Sequence, residues 1–244
     1  MITRYMAQLS GPWWEARRGI ITASAADRVI TGLGNPSKQV EKLINELIAE
    51  RIDLSPNFFS AHPMTRAMAN GRDTEDEARR WYAANYGTVQ QVGICATDDM
   101  RYACSPDGLV GDDGVLELKC PMMKTHIGYL RDGGLPRTYR PQVHMQLLVT
   151  KREWVDFVSY AIGADPLVVR VVPDELTVAL AYALADAWER LDAVWLRLCE
   201  RMGKDPAWPP ADSPLREPAG AYIRTPADPP GVAGEVQIDD VPNF

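Results

Sequence analysis

A mixed α/β (α+β) fold, with a central mixed sheet flanked by helices, is predicted by three features of the 244-residue chain. Apolar residues recur at helical spacing within residues 38–86 and 174–202, short β-prone runs separated by turn residues fill 88–120, and two further strands follow a short helix at 141–150. The chain is long enough for one sizeable core and short for two full domains.

Each element has a local reason. Ser24-Ala-Ala-Asp-Arg-Val-Ile reads as a short helix opened by a Ser/Thr cap. From about Lys38 to Arg51, Val40, Leu43, Ile44, Leu47 and Ile48 recur at three/four spacing, which predicts a longer helix. A third is expected over about Thr65 to Tyr86, with a break at Asn70-Gly71 left open. The runs Val89 to Ala96, Arg101 to Cys104, Gly108 to Val110 and Val115 to Cys120 are β-prone, divided by Asp-Asp, Pro-Asp-Gly and Gly-Asp-Asp-Gly turns. Helix returns at about Pro141 to Thr150, then strands at Trp154 to Ala161 and Leu167 to Val172, then an amphipathic helix from Asp174 to Met202. Trp13, Trp14, Trp81, Trp154, Trp188 and Trp195 mostly fall at core spacing.

Composition shifts near Gly203. Residues 203–244 hold nine of the 19 prolines and little periodic apolar pattern, so the chain divides into a folded body, 1–202, and a Pro-rich tail, 203–244, expected to be disordered. The chain has 26 basic and 33 acidic residues, a formal net charge of −7, which excludes a globally basic nucleic-acid binder but not a local basic channel. Cys95, Cys104, Cys120 and Cys199 form no CxxC pair and have no partnered histidine spacing, so neither a zinc module nor a disulfide framework is supported. The start lacks an apolar signal region and no apolar run reaches the roughly 18 residues of a membrane span, so a cytoplasmic protein without membrane attachment is expected.

The densest polar signal is Ser105-Pro106-Asp107-Gly108 followed by Glu117-Leu118-Lys119. Strand alternation sends Glu117 and Lys119 to one face and Leu118 to the other. A hairpin through Gly111–Gly114 returns the chain so that Asp107 lies beside Glu117. Two carboxylates and the Leu118 carbonyl then form an oxygen-only site suited to Mg²⁺ or Mn²⁺. Lys119 is placed to orient or deprotonate a water and to counter charge developing on a phosphate. An acid and a lysine two apart on a strand are more often a solvated face, but here apolar neighbours embed the acid, and buried charge is costly unless something ligates it.

The segments ACSPDGL at 103–109 and LELKCP at 116–121 resemble the core of the PD-(D/E)XK nucleases, specifically the phage lambda exonuclease and YqaJ-type viral recombinase family. The resemblance extends to Trp13-x-x-x-Arg17-x-Gly19-Ile-Ile-Thr-Ala-Ser24, to Gly71-x-x-x-Glu75-x-x-Ala78 and to Tyr139-x-x-Gln142-Val143-His144. It implies a restriction-endonuclease-like core with Asp107, Glu117 and the Leu118 carbonyl at a metal, Lys119 as the catalytic lysine and Glu75 as a further acid on the metal site. The family's Gln-x-Gln stands here as Gln142-Val143-His144, so Gln142 either holds the attacking water or Lys119, and the role of His144 is left open. Arg17, Ser24 and Ser105 match positions that grip the 5′-phosphate of the strand being degraded, and Met68 matches an apolar wedge between terminal bases. Taken alone, Ser24 is an ordinary helix cap, Glu75 one of an acidic cluster at a helix start, and Met68 a core residue.

Lys119, Lys124, Arg131, Arg137 and Arg140 stand against Asp132 alone between residues 119 and 140, a segment that either tracks the DNA backbone or is a solvated loop. No base-reading motif is evident. His62 and His126 lack ligand partners and read as structural. The resemblance therefore implies a Mg²⁺-dependent (or Mn²⁺-dependent) 5′-to-3′ exonuclease that degrades one strand of linear double-stranded DNA to a 3′ overhang for phage-type recombination. It also implies a toroidal homotrimer around DNA ends, while the tail, through Tyr222, Ile223 or Phe244, could dock a single-strand annealing recombinase. The alternatives are a structure- or site-specific endonuclease on the same core and a non-catalytic DNA-end binding module.

Overall fold

The computed structural model describes residues 1–55 and 66–217, with the backbone alone described over 66–73. Met68 and His62, and the tail anchors Tyr222, Ile223 and Phe244, thus lie outside the described side chains. Two sheets form the frame. The smaller runs β1 (Ile2–Arg4), β4 (Ile94–Ala96), β5 (Tyr102–Cys104), β2 (Ile21–Thr22), with only the last pair parallel. The larger runs β3 (Val89–Gln90), β6 (Gly108–Val110), β7 (Gly114–Lys119), β8 (Trp154–Ser159), β9 (Leu167–Val171), with only β7 and β8 parallel. Among the described residues six α-helices flank them: α1 (Gly11–Arg17), α2 (Val40–Ile52), α3 (Arg66–Tyr86), α4 (Met123–Asp132), α5 (Arg140–Thr150) and α6 (Glu175–Met202).

Strand β7 is central, and its alternation divides the interior. Val115 joins the main core, where Leu43, Ile44, Leu47 and Ile48 of α2 meet Val143, Leu147 and Val149 of α5 and Leu180, Leu184 and Leu191 of α6. Leu116 and Leu118 face the opposite way into a smaller cluster with Ala78 and Tyr82 of α3. The amphipathic stripes read from the sequence are therefore spent on two layers, one on each side of a single strand. Helix α3 runs unbroken through Asn70-Gly71. Among the described residues no helix is long and apolar enough to cross a membrane.

Four expectations are corrected. The run Val89 to Ala96 is two strands in different sheets, because the chain turns where Gly93 packs against Met6, whose Cγ would lie 2.4 Å from an added Cβ. The segment 119–140 is not a simple loop, since its middle forms α4, anchored by a fully buried His126. There Nδ1 lies 2.8 Å from Ser159 Oγ and Nε2 3.0 Å from the Asp165 carbonyl. A carbonyl only accepts, so Nε2 carries the proton and Nδ1 accepts from Ser159. The short helix at 23–28 is a 3₁₀ turn, Ala23–Arg28, with Thr22 at its cap position and no side-chain cap bond, so Ser24 is not its cap.

The fourth correction concerns the tail. Residues 203–217 are part of the folded body: Trp208 stacks edge-on against Trp195 at 5.8 Å and Leu215 is 1% exposed. Arg4 donates to the carbonyls of Pro214 and Leu215. Prolines that break periodicity also stiffen an extended strap, and this strap closes over α1 and β1.

Candidate active site

The site is assembled where β6 begins. Asp107 N donates to the Leu116 carbonyl at 3.0 Å, extending the β6–β7 ladder by one bond beyond the Gly108–Leu116 pair. Strand geometry turns the N–H and C=O of Leu118 to this same edge. Its N–H donates to Asp107 Oδ2 at 2.6 Å, which ties the acid to β7. Glu117, on the α5 face, is 2% exposed, and Lys119 lies on the same face as expected, donating to Glu117 Oε1.

Burial of Glu117 is tolerated because its oxygens are held. Gln142 donates to Oε1 at 2.5 Å and Gln146, one helical turn on, donates to Oε2. Gln146 was not singled out in the sequence, although its i, i+4 relation to Gln142 is the signal that marks a shared helix face. His144 lies elsewhere: its Nδ1 sits 2.8 Å from Thr177 Oγ1 and 3.6 Å from Asp174 Oδ1, at the capping box of α6. The structure thus assembles Asp107, Glu117, Lys119 and Gln142 and leaves His144 out. Burial first, offset partly by Asp174, holds the His144 pKa below its ordinary value.

Electrostatics at the carboxylates are unbalanced. Burial, then the charges of Glu117 and Glu75, push the Asp107 pKa well above the usual carboxylate range. Burial acts against the Lys119 charge, but Glu117 and Asp107 outweigh it and raise the Lys119 pKa. Glu75 reaches this region from α3 by its charge, while its Oε1 accepts from Arg79 Nη2 at 2.5 Å. Arg79 also donates to Asp76 and, through Nε, to the Asp107 carbonyl at 3.1 Å, so it links the acidic cluster of α3 to the hairpin.

Among the described residues no three His, Cys, Asp or Glu side chains form a metal-holding group. The donor chemistry nevertheless fits a hard divalent cation: the buried Glu117 carboxylate, the half-buried Asp107 carboxylate and a main-chain carbonyl stand together, with one lysine against the charges of Asp107, Glu117 and Glu75. Glu117 Oε2, with a single partner, and Asp107 Oδ1, with none among the described residues, keep lone pairs available.

A second polar cluster adjoins the first. Arg17, at the end of α1, donates to Ser105 Oγ at 3.2 Å, to Ser24 Oγ at 2.9 Å and to Thr22 Oγ1 at 3.4 Å. The guanidinium lies 4.1 Å above the Trp13 ring, and Trp13 Nε1 donates to Ser105 Oγ at 2.8 Å. Burial lowers the Arg17 pKa to about 10, with Glu50 as the main opposing charge, so the group stays cationic at neutral pH. Ser105 Oγ accepts twice and retains its proton to donate; Ser24 is exposed. Arg17, Ser24 and Ser105 are therefore brought together across α1, the 3₁₀ turn and β5. Trp13 and Thr22 complete the cluster and were not assigned to it from the sequence.

The basic residues of 119–140 divide. Lys124, Arg131 and Arg137 are exposed, with Arg131 paired to Asp132 at 3.0 Å. Arg140 instead donates to the Gly32 carbonyl at 2.8 Å and to Asp174 at 3.3 Å, which ties α5 to the loop before α2.

Residues 12–153 match the family model of the YqaJ-like viral recombinase domain. The structure is similar to that of LHK-Exo in complex with dAMP, at 29% identity and a TM-score of 0.66, over 78% of this chain and 97% of that one. It is also similar to the alkaline exonuclease LHK-Exo from Laribacter hongkongensis, at 28% identity and a TM-score of 0.62, over 78% and 98%. A phage-related exonuclease from Haemophilus somnus shares the fold at 10% identity, with a TM-score of 0.54 over 73% and 96%. Comparison with curated protein sequences yields no match.

Proposed function

The chain belongs to the YqaJ-like viral recombinase domain family, and on that premise we propose that it is a 5′-to-3′ exonuclease acting on the ends of linear double-stranded DNA. One observation carries this reading. Ser105, which accepts from Arg17, is joined to Asp107 by two peptide links, which keep their Cα atoms within about 7 Å. A terminal phosphate held by Arg17 places the next phosphodiester against Asp107, Glu117 and Lys119, so each cut releases one nucleotide. The dAMP bound by LHK-Exo belongs to that product class. A guanidinium with two hydroxyls suits a phosphate, and no groove-reading motif accompanies it, consistent with cleavage independent of sequence.

Asp107, Glu117 and the Leu118 carbonyl would hold Mg²⁺ (or Mn²⁺), with Glu75 contributing charge from α3. A bound divalent cation stabilises negative charge on the phosphoryl oxygens. Gln142 and Gln146 keep the Glu117 carboxylate oriented. Lys119 Nζ, held beside Glu117, donates hydrogen bonds to an attacking water and to the developing phosphoryl charge. Exposed Lys124, Arg131 and Arg137 supply backbone contacts, and a homotrimeric ring would need basic charge only in its channel, which reconciles DNA binding with the net charge of −7. The product is a 3′ overhang suited to an annealing recombinase.

Linear duplexes labelled at the 5′ or the 3′ end, digested with Mg²⁺, with Mn²⁺ or with chelator, test the reading. Expected are cation-dependent release of 5′-terminal mononucleotides, faster from phosphorylated ends, and intact closed-circular DNA. Cutting of closed circles supports the endonuclease instead, and duplex ends left untouched with either cation overturn catalysis altogether.

A further inference from the structure

The turn at Gly19 joins Arg17 to Thr22 and Ser24. Three successive main-chain groups of this turn are held by side chains from distant parts of the chain. The Arg18 carbonyl accepts from Trp208 Nε1 at 3.1 Å. The Gly19 N–H donates to Glu50 Oε2 at 2.7 Å. The Gly19 carbonyl accepts from Arg51 Nε at 2.9 Å. Gly19 has φ +65°, and an added Cβ would lie 2.5 Å from Arg51 Cγ and 2.9 Å from the Trp208 ring, so no other residue fits between them.

Arg51 is an unusual residue to bury. It is 2% exposed, its Nη1 and Nη2 have no hydrogen-bond partner among the described residues, and its guanidinium is enclosed by Trp188, Trp195 and Trp208 at 5.2–5.5 Å. A buried cation among aromatic faces retains part of its stabilisation through the ring quadrupoles, but two open donor groups cost more than an apolar residue in the same place. A leucine would pack there without that cost. What leucine could not supply is the hydrogen bond to the Gly19 carbonyl. Glu50 likewise does more than bond Gly19, since its carboxylate is the chief charge facing Arg17.

From this geometry we infer that Glu50, Arg51 and Trp208 are positioning residues that clamp the Gly19 turn, set the spacing of Arg17 from the Thr22 and Ser24 hydroxyls, and thereby confer selectivity for a 5′-phosphorylated end. The inference rests on the exonuclease reading above and deepens it. It makes the strap at 203–217 part of end recognition: Leu215 packs in one cluster with Trp13, although among the described residues no strap residue is hydrogen-bonded to Arg17, Ser24 or Ser105. Because the clamp acts through the main chain, its loss blurs the pocket rather than removing a phosphate ligand.

The experiment compares initial degradation rates on one linear duplex carrying a 5′-phosphate or a 5′-hydroxyl, for the wild type, Glu50→Ala, Glu50→Gln and Trp208→Phe, with thermal unfolding of each. Displacing a phosphate ligand by about 1 Å is expected to lower the phosphate-to-hydroxyl rate ratio by up to about 10²-fold in Glu50→Ala. Glu50→Gln keeps the acceptor for Gly19 and removes a charge that competes for Arg17, so its ratio is maintained or rises. Trp208→Phe keeps an aromatic face on Arg51 and loses the N–H with part of the ring, so its ratio falls by a smaller factor; should Glu50→Ala not fold, this variant decides. If both rates fall together and the ratio stays at the wild-type value in Glu50→Ala and Trp208→Phe, the residues are merely structural and the inference is overturned while the exonuclease stands. A wild-type enzyme that treats the two ends alike removes the phosphate pocket itself, and the inference with it.

Discussion

Gln146 donates its amide to Glu117 Oε2 across 29 positions of sequence, and Gln142, one turn earlier on α5, donates to Oε1. The buried carboxylate of β7 is thus held by one face of one helix. Several expected outcomes come from this arrangement and from the groups beside it.

Gln146→Met keeps the volume and removes the donor to Oε2. A group that orients a metal-binding carboxylate is worth about 10–100-fold in activity or metal affinity. The variant should lose activity in that range, recover part of it at raised Mg²⁺, and bind duplex ends as the wild type does. Single-turnover digestion across a Mg²⁺ series measures this, and unchanged rates would remove Gln146 from the site.

Lys119→Ala removes the only cation bonded to Glu117 among the described residues. Degradation should fall by at least about 10²-fold, while duplex binding persists, since Arg17 and the exposed Lys124, Arg131 and Arg137 are untouched. Product release on gels, alongside binding by fluorescence anisotropy, separates the two effects.

His144, bonded to the capping box of α6 and away from Glu117, is expected to contribute to stability rather than to hydrolysis. Its folded-state pKa lies below the unfolded value of roughly 6.5, because burial and the nearby Arg140 disfavour the charged ring and Asp174 only partly compensates. The unfolded chain therefore binds the proton first. The stabilising contribution is complete above about pH 6.5 and is lost as pH falls toward the folded pKa. Denaturant titrations should show a drop between pH 7 and pH 5 that is smaller in His144→Gln, with activity at pH 7 largely retained.

Leu215→Ala tests the strap. A disordered tail would make the substitution silent, whereas Leu215, 1% exposed among Trp13, Ile20 and Met6, should lose about 2–3 kcal/mol. Thermal unfolding checks it.

Whatever depends on near neighbours along the chain could be read from residue order alone. Alternation in 115–119 placed Glu117 and Lys119 on one face and Leu118 on the other, and Pro-Asp-Gly with the Gly111–Gly114 turn set the hairpin that ties Asp107 to β7. The order of motifs identified the family and brought Arg17, Ser24 and Ser105 into one hypothesis. The choice between His144 and Gln146 came from packing, because residues two apart on a helix point about 200° away from each other and those four apart only about 40°. Which of those directions faces the sheet depends on how α5 is rotated against β7, and its apolar pattern, buried nearly all round, leaves that rotation open. The same reason hid Arg79 beside Asp107, the grip of Glu50 and Arg51 on Gly19, and the folding of 203–217. Each joins segments between 28 and 211 residues apart, where local periodicity carries no information and packing alone selects the partner.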